Sequence, residues 1–137
     1  MSVSGSEKSA QEAYREGTDY QFETPEISLG PWTSYSLRHD PKHMAFVLAR
    51  YKFCAKMMQG KPVVMEVGSG DGLGLPLIAQ QAERVYAVDW DQRLLDGNAR
   101  RLAHLDNVIY LHIDLNTDAP DVAVDGVCMI DVIEHLE

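Results

Sequence analysis

The segment Val63-Val64-Met65-Glu66-Val67-Gly68-Ser69-Gly70-Asp71-Gly72 constrains this chain more than any other. A short apolar, β-branched run carrying one acid passes directly into a loop with glycine at every second position. Glycine beside a strand costs backbone entropy unless φ > 0 is required or another group must come close. An apolar stretch of helical character, Leu73 to Ala82, follows. The segment therefore reads as a strand-loop-helix unit whose main chain is open to a small ligand, and repeated units of this kind build parallel α/β sheets.

Spacing removes two owners of such a loop. A dinucleotide fingerprint needs G-x-G-x-x-G. Counting from Gly68, Gly70 or Gly72, the third position falls on Leu73, Leu75 or Leu77. A phosphate-binding P-loop needs Gly-Lys-Ser/Thr, and no Lys or Thr lies between Lys61 and Glu83. What remains is E-x-G-x-G-x-G, from Glu66 to Gly72.

Three further strands end in acids. Arg84-Val85-Tyr86-Ala87-Val88-Asp89 closes about twenty residues beyond the loop, the offset of ribose-binding acids in such sheets. A carboxylate there can accept from both ribose hydroxyls. Trp90 follows and can either face a ligand ring or pack. Asp91 is placed to cap a helix over Gln92 to Leu105. The next strand, Asn107 to Asp114, is followed by Leu115; Asp114 and Asn116 also suit a turn. The last runs from Val122 to Asp131 and enters Val132-Ile133-Glu134-His135-Leu136-Glu137. Open α/β sheets bind ligands outside the carboxyl ends of their strands. On a helical turn, Asp131, Glu134 and His135 at i, i+3 and i+4 share neighbouring faces. They can line a pocket, touch substrate, supply a general base or hold a divalent ion. A convincing metal site needs a second imidazole, so no metal is assigned.

Together these motifs resemble class I S-adenosylmethionine-dependent methyltransferases over Pro62 to Glu137. The resemblance implies an α/β, Rossmann-like parallel sheet with helices on both faces, strand order 3-2-1-4, and S-adenosyl-L-methionine as cofactor. It assigns Gly68, Ser69, Gly70 and Gly72 to the methionyl part, with Glu66 orienting the loop or meeting the methionyl amine, Asp89 to the ribose, Asp114 to the adenine amine and Leu115 to a place near the ring; Trp90 is the residue that either lies against the adenine face or packs. It makes Asp131 and His135 the candidates for catalysis. Asp-x-x-Glu-His-Leu is similar to the segment after strand four in many small-molecule methyltransferases. It is partly similar to the metal-binding Glu-x-x-Glu-His of small-RNA 3′-end methyltransferases, from which Asp131 departs. The family's sheet has further strands, so the chain is expected to be a fragment truncated after strand four and inactive alone. Arg38 to Met58 looks like a helix of bacterial methyltransferases of surface-polysaccharide clusters, which points to a sugar or another metabolite hydroxyl as acceptor. The alternatives are a non-catalytic nucleoside-binding module and an NAD-dependent oxidoreductase, the latter opposed by the glycine register.

Charge narrows the partners. Residues 1–60 hold seven Lys/Arg and seven Asp/Glu, and residues 61–137 hold five and fourteen, so the whole net charge of −9 belongs to the glycine-loop half. Such a surface repels a polyanion, which leaves a small-molecule substrate and no nucleic acid. No apolar run reaches membrane-spanning length and no signal-peptide pattern opens the chain, so no membrane partner and a cytoplasmic location are expected. Cys54 and Cys128 are isolated thiols.

Residues 1–37 form an aromatic N-terminal segment and residues 38–137 the methyltransferase part. Met1 to Gly17 is polar and expected to be mobile. Tyr20 to Leu37 is expected as a loop anchored by Tyr20, Phe22, Trp32 and Tyr35, serving as packing or as a lid. A helix starts at Asp40 with Pro41 at its first position, carries Met44, Val47, Leu48, Tyr51, Ala55 and Met58 on one stripe, and ends at Gly60. His39 and His43 read as surface residues.

Overall fold

The computed structural model describes residues 8–136; the expectations for residues 1–7 and for Glu137 lie outside them. Four helices precede the first strand: α1 (Ala10–Thr18), α2 (Tyr20–Glu23), α3 (Pro31–His39) and α4 (Pro41–Met58). The first three correct the expectation of irregular chain. Helix α1 is started by a capping box, in which Ser9 Oγ accepts from the Glu12 N–H (3.2 Å) and the Glu12 carboxylate from the Ser9 N–H (2.8 Å). Pro31, read as a loop residue, occupies the first turn of α3, where its fixed φ favours a helix. The aromatic side chains of Tyr20, Phe22, Trp32 and Tyr35 are exposed, and Thr33 is the buried residue of α3.

Helix α4 follows its signals. The Asp40 side chain accepts from the His43 N–H (3.1 Å), Pro41 opens the helix, and Tyr51, Ala55 and Met58 are buried. Leu48, although on the expected stripe, is exposed. Gly60 takes φ 80° just beyond the helix end.

The remaining elements are β1 (Val63–Val67), α5 (Leu75–Ala79), β2 (Arg84–Asp89), α6 (Gln92–Arg101), β3 (Val108–His112) and β4 (Gly126–Met129), then a single 3₁₀ turn at Ile133–His135. The strands form one parallel sheet in the order β3-β2-β1-β4. The chain thus lays strands outward from β1 to β3 and then returns to the other side of β1. That reversal opens a crevice between the carboxyl ends of β1 and β4. Strand β4 is shorter than expected: before it, Asp125 caps β1 by donating its N–H to the Val63 carbonyl (2.7 Å) and accepting the Val63 N–H on its carboxylate (2.9 Å). Helix α5 is shorter than the expected 73–82 as well.

Alternation along β1 sends Val64 and Glu66 to one face and Met65 and Val67 to the other. On the first face Val64, Val85, Ala87 and Cys128 pack with Tyr51 and Met58 of α4, Leu75, Ile78 and Ala79 of α5, and Leu102. On the second, Met65, Val67 and Val88 pack with Tyr86, Leu111, Ile113, Leu115, Val122, Val124 and Val132. Burial on both faces explains why the central strands are almost continuously apolar. Among the described residues no helix is long and apolar enough to cross a membrane.

Candidate cofactor site

The glycine loop leaves β1 with Gly68, Gly70 and Gly72 all at positive φ. Two of these positions also have no room for a side chain. A Cβ on Gly68 would overlap Val132, and one on Gly70 would stand 3.0 Å from the Trp32 ring. Gly72 differs: its missing Cβ makes space for Asn98 and Leu102, so it serves the packing of α6 and lines neither cavity described below.

Side chains from three other parts of the chain hold the loop. The Gly68 and Ser69 N–H groups donate to the Val88 carbonyl (2.8 and 3.0 Å). The Gly70 N–H donates to Asp89 Oδ2 (2.8 Å), and its carbonyl accepts from Asn98 Nδ2 (2.8 Å). The Asp71 carboxylate accepts from both the N–H (2.7 Å) and the hydroxyl (3.0 Å) of Thr33, which ties α3 onto the loop. The Arg101 guanidinium donates to Asn98 Oδ1 (2.7 Å) and to the Asp71 carbonyl (3.1 Å). Thr33, Asp71, Asn98 and Arg101 were not anticipated. Only Asn98 left a signal, a polar residue on the same helical face as Leu94, Leu95 and Leu102.

A cavity of about 550 Å³ lies at the carboxyl ends of the strands. Gly68, Asp89, Trp90, Asp114, Leu115, Asp131 and His135 all line it, together with Trp32. Asp89 is 5% exposed; besides Gly70, it accepts the Asp91 N–H on Oδ1 (2.9 Å). Each oxygen keeps a second acceptor position. Trp90 is 67% exposed, so it is a cavity wall and not a core residue; its carbonyl lies 2.7 Å from His112 Nε2. Asp91 caps α6 as expected, accepting from the Arg93 N–H (3.0 Å), and its hydrogen bonds with Arg93 hold its carboxyl down at about 2. Asp114 both lines the cavity and accepts the Asn116 N–H (3.0 Å), so one residue makes the turn and borders the cavity.

A second cavity, about 190 Å³, is formed by Ser69, Gly70 and Asp71 with Thr33, His43 and Tyr51. It shares Trp32, Gly68 and Asp131 with the first. His43, read as a surface residue, therefore borders a cavity.

Asp131, Glu134 and His135 do not form the expected helical face. Asp131 sits at φ 53°, outside the turn, and its carboxylate is paired with Arg50 of α4. Asp131 and His135 reach the larger cavity, whereas Glu134 lines neither. Among the described residues no group of three or more His, Cys, Asp or Glu is placed to hold a metal ion.

Glu66 stands apart. It is 1% exposed, lies beneath the loop and lines neither cavity. Burial pushes its carboxyl up to about 8, against the influence of the nearby Tyr51 hydroxyl and with a smaller push from Asp89. Tyr51 is close enough to favour the charged form but falls short of hydrogen-bond geometry, so both Glu66 oxygens lack a partner, as does Ser69 Oγ. Burial and the Glu66 carboxyl together push the Tyr51 hydroxyl up.

These features fit S-adenosylmethionine. The cavity offers a buried strand-end carboxylate for a diol, an exposed indole for a ring, and main chain at Gly68 that carries no side chain. A methyltransferase-domain family model matches residues 65–137. A probable S-adenosylmethionine-dependent methyltransferase of Mycolicibacterium smegmatis (strain ATCC 700084 / mc(2)155) is 39% identical over 74 residues, 53% of this chain and 28% of that protein. The chain thus spans under a third of the length of the curated relative it matches. Among solved structures, a dimethyladenosine transferase from Plasmodium falciparum superposes with TM-score 0.52 at 18% identity, over 61% of this chain and 30% of that one. The N-methyltransferase NodS from Bradyrhizobium japonicum WM9, in complex with S-adenosyl-l-homocysteine, does so with TM-score 0.50 at 12% identity, over 58% and 42%. The two structures share the fold, the family model covers more than half of the chain, and the chain accordingly belongs to the class I S-adenosylmethionine-dependent methyltransferases.

Proposed function

We propose that this domain binds S-adenosylmethionine in the larger cavity and serves methyl transfer to a small acceptor, the hydroxyl of a sugar or another metabolite. The observation that carries this reading is the convergence of Gly68, Asp89, Trp90, Asp114 and Leu115 on one cavity at the strand ends. The bound cofactor supplies an electrophilic methyl group on a sulfonium. The chain supplies alignment. The Asp89 carboxylate, already fixed by two backbone N–H groups, keeps acceptor positions for the two ribose hydroxyls. Gly68 and Gly70 let main chain meet the methionyl part, and Asp114 accepts from the adenine amine. Asp131 and His135, at the same cavity, are the groups able to take the acceptor's proton.

A small acceptor is favoured by charge. Fourteen acids against five bases over residues 61–137 repel a polyanionic substrate such as RNA. The test has two stages. Calorimetry with S-adenosylmethionine and with NAD should give binding of the first alone. Transfer of a tritiated methyl group should then be scored against sugars, metabolite hydroxyls and RNA. Binding of NAD in preference refutes the cofactor assignment, and labelling of RNA alone refutes the acceptor class.

A further inference from the structure

Trp32 stands where the two cavities meet, outside the family-matched segment 65–137. It is fixed from both sides of the chain. Thr33 after it makes two hydrogen bonds to Asp71, and Gly30 lies so close to the same carboxylate that a Cβ there would overlap it. The indole itself is 59% exposed and faces the Gly70 backbone. An aromatic ring clamped in place yet left out of the core is available to a ligand.

The larger cavity suits a cation. Asp89 and Asp114 line it, as do Asp131, whose carboxylate is already paired with Arg50, and His135; no Lys or Arg lines it among the described residues. Its two tryptophans, the only two in the chain, mark different places. Trp90 adjoins Asp89, the ribose acceptor of the reading above. Trp32, with Gly68 and Asp131, lines both cavities, and a Cβ on Gly70 would stand 3.0 Å from its ring. In the reading above the methionyl end of the cofactor lies over Gly68 and Gly70, on the Trp32 side. In S-adenosylmethionine that end carries the positive sulfonium; in the product, S-adenosylhomocysteine, it carries a neutral thioether.

We propose that Trp32 is the residue by which this site distinguishes the cationic methyl donor from its neutral product. The inference rests on the cofactor reading of the larger cavity. The physical basis is attraction of a cation to the negative face of an indole, which a thioether does not share. The consequence is selective release of product while donor is retained.

Calorimetry of the chain with S-adenosylmethionine and S-adenosylhomocysteine tests this without any acceptor. Trp32→Leu should lower the affinity ratio of donor to product by about two- to fivefold. Trp90→Leu should weaken both ligands alike and leave the ratio unchanged. Trp32→Phe, which keeps a ring, should retain most of it. On a Trp90→Leu background, fluorinated tryptophans weaken the ring's negative face at constant shape, and the ratio should fall with added fluorine. An unchanged ratio in Trp32→Leu, or a flat response to fluorination, overturns the proposal while leaving cofactor binding intact. A wild-type chain that binds neither ligand removes the cofactor reading itself, and this inference with it.

Discussion

Glu66→Gln isolates the titration of one buried acid. With its carboxyl raised from 4.5 to about 8 by burial, Glu66 is protonated in the folded chain at neutral pH and ionised in the unfolded one. The folded state then binds the extra proton, so stability falls as pH rises between these values. The contribution is fully present below about 4.5 and is lost by the time the pH passes about 8. Each pH unit in that window costs about 1.4 kcal/mol, so the three units from pH 5 to pH 8 amount to about 4 kcal/mol. That is a large fraction of the ~5–15 kcal/mol that holds a typical domain together. Glutamine has nearly the same shape and does not titrate. The assay is urea unfolding followed by circular dichroism at pH 5, 6, 7 and 8, on wild type and Glu66→Gln, with stability taken from the midpoint and slope. Groups that do not interact with Glu66 contribute alike to both proteins and cancel in the difference. Glu66→Gln should gain steadily on wild type toward pH 8. Parallel curves would mean that Glu66 is ionised in the folded protein, paired with a donor, and that the reasoning from burial is wrong.

Gly70→Val should abolish S-adenosylmethionine binding in calorimetry, because φ 53° disfavours a β-branched residue and the new Cβ would stand 3.0 Å from Trp32. Asp89→Ala should reduce cofactor affinity by about one to two orders of magnitude, matching the roughly 1.5–3 kcal/mol of a charge-assisted contact. It should also speed amide exchange at Gly70 and Asp91, whose N–H groups lose their acceptor. Asn98→Leu strips the Gly70 carbonyl of its side-chain donor and Arg101 of an acceptor, and should cost about 1–3 kcal/mol in chemical unfolding. Thr33→Val removes the hydroxyl bond to Asp71 but keeps the backbone one, so its cost should stay near 1 kcal/mol by the same measurement.

The elements legible in the sequence are those whose causes are local. Strand residues around Val64 and Val85 declare themselves by apolar, β-branched runs, and Asp40 and Asp91 each satisfy an N–H within three residues along the chain. The alternating glycines announced a backbone turned to positive φ, and the strand ends carrying Asp89 and Asp114 marked where a cavity opens. The capping box of Ser9 and Glu12 was equally local and was hidden by polar composition. What tertiary structure decided lies across long separations. Thr33 meets Asp71 over 38 residues, Asn98 meets Gly70 over 28, and Arg50 meets Asp131 over 81. A period of 3.6 tells which face of a helix is buried, but not what that face will meet. Hence Asn98 could be placed on an apolar stripe while its partner could not. Glu66 was legible as the acid before the glycines, but its protonation was not. That follows from the other elements closing over it, because the cost of a buried charge depends on everything packed around it.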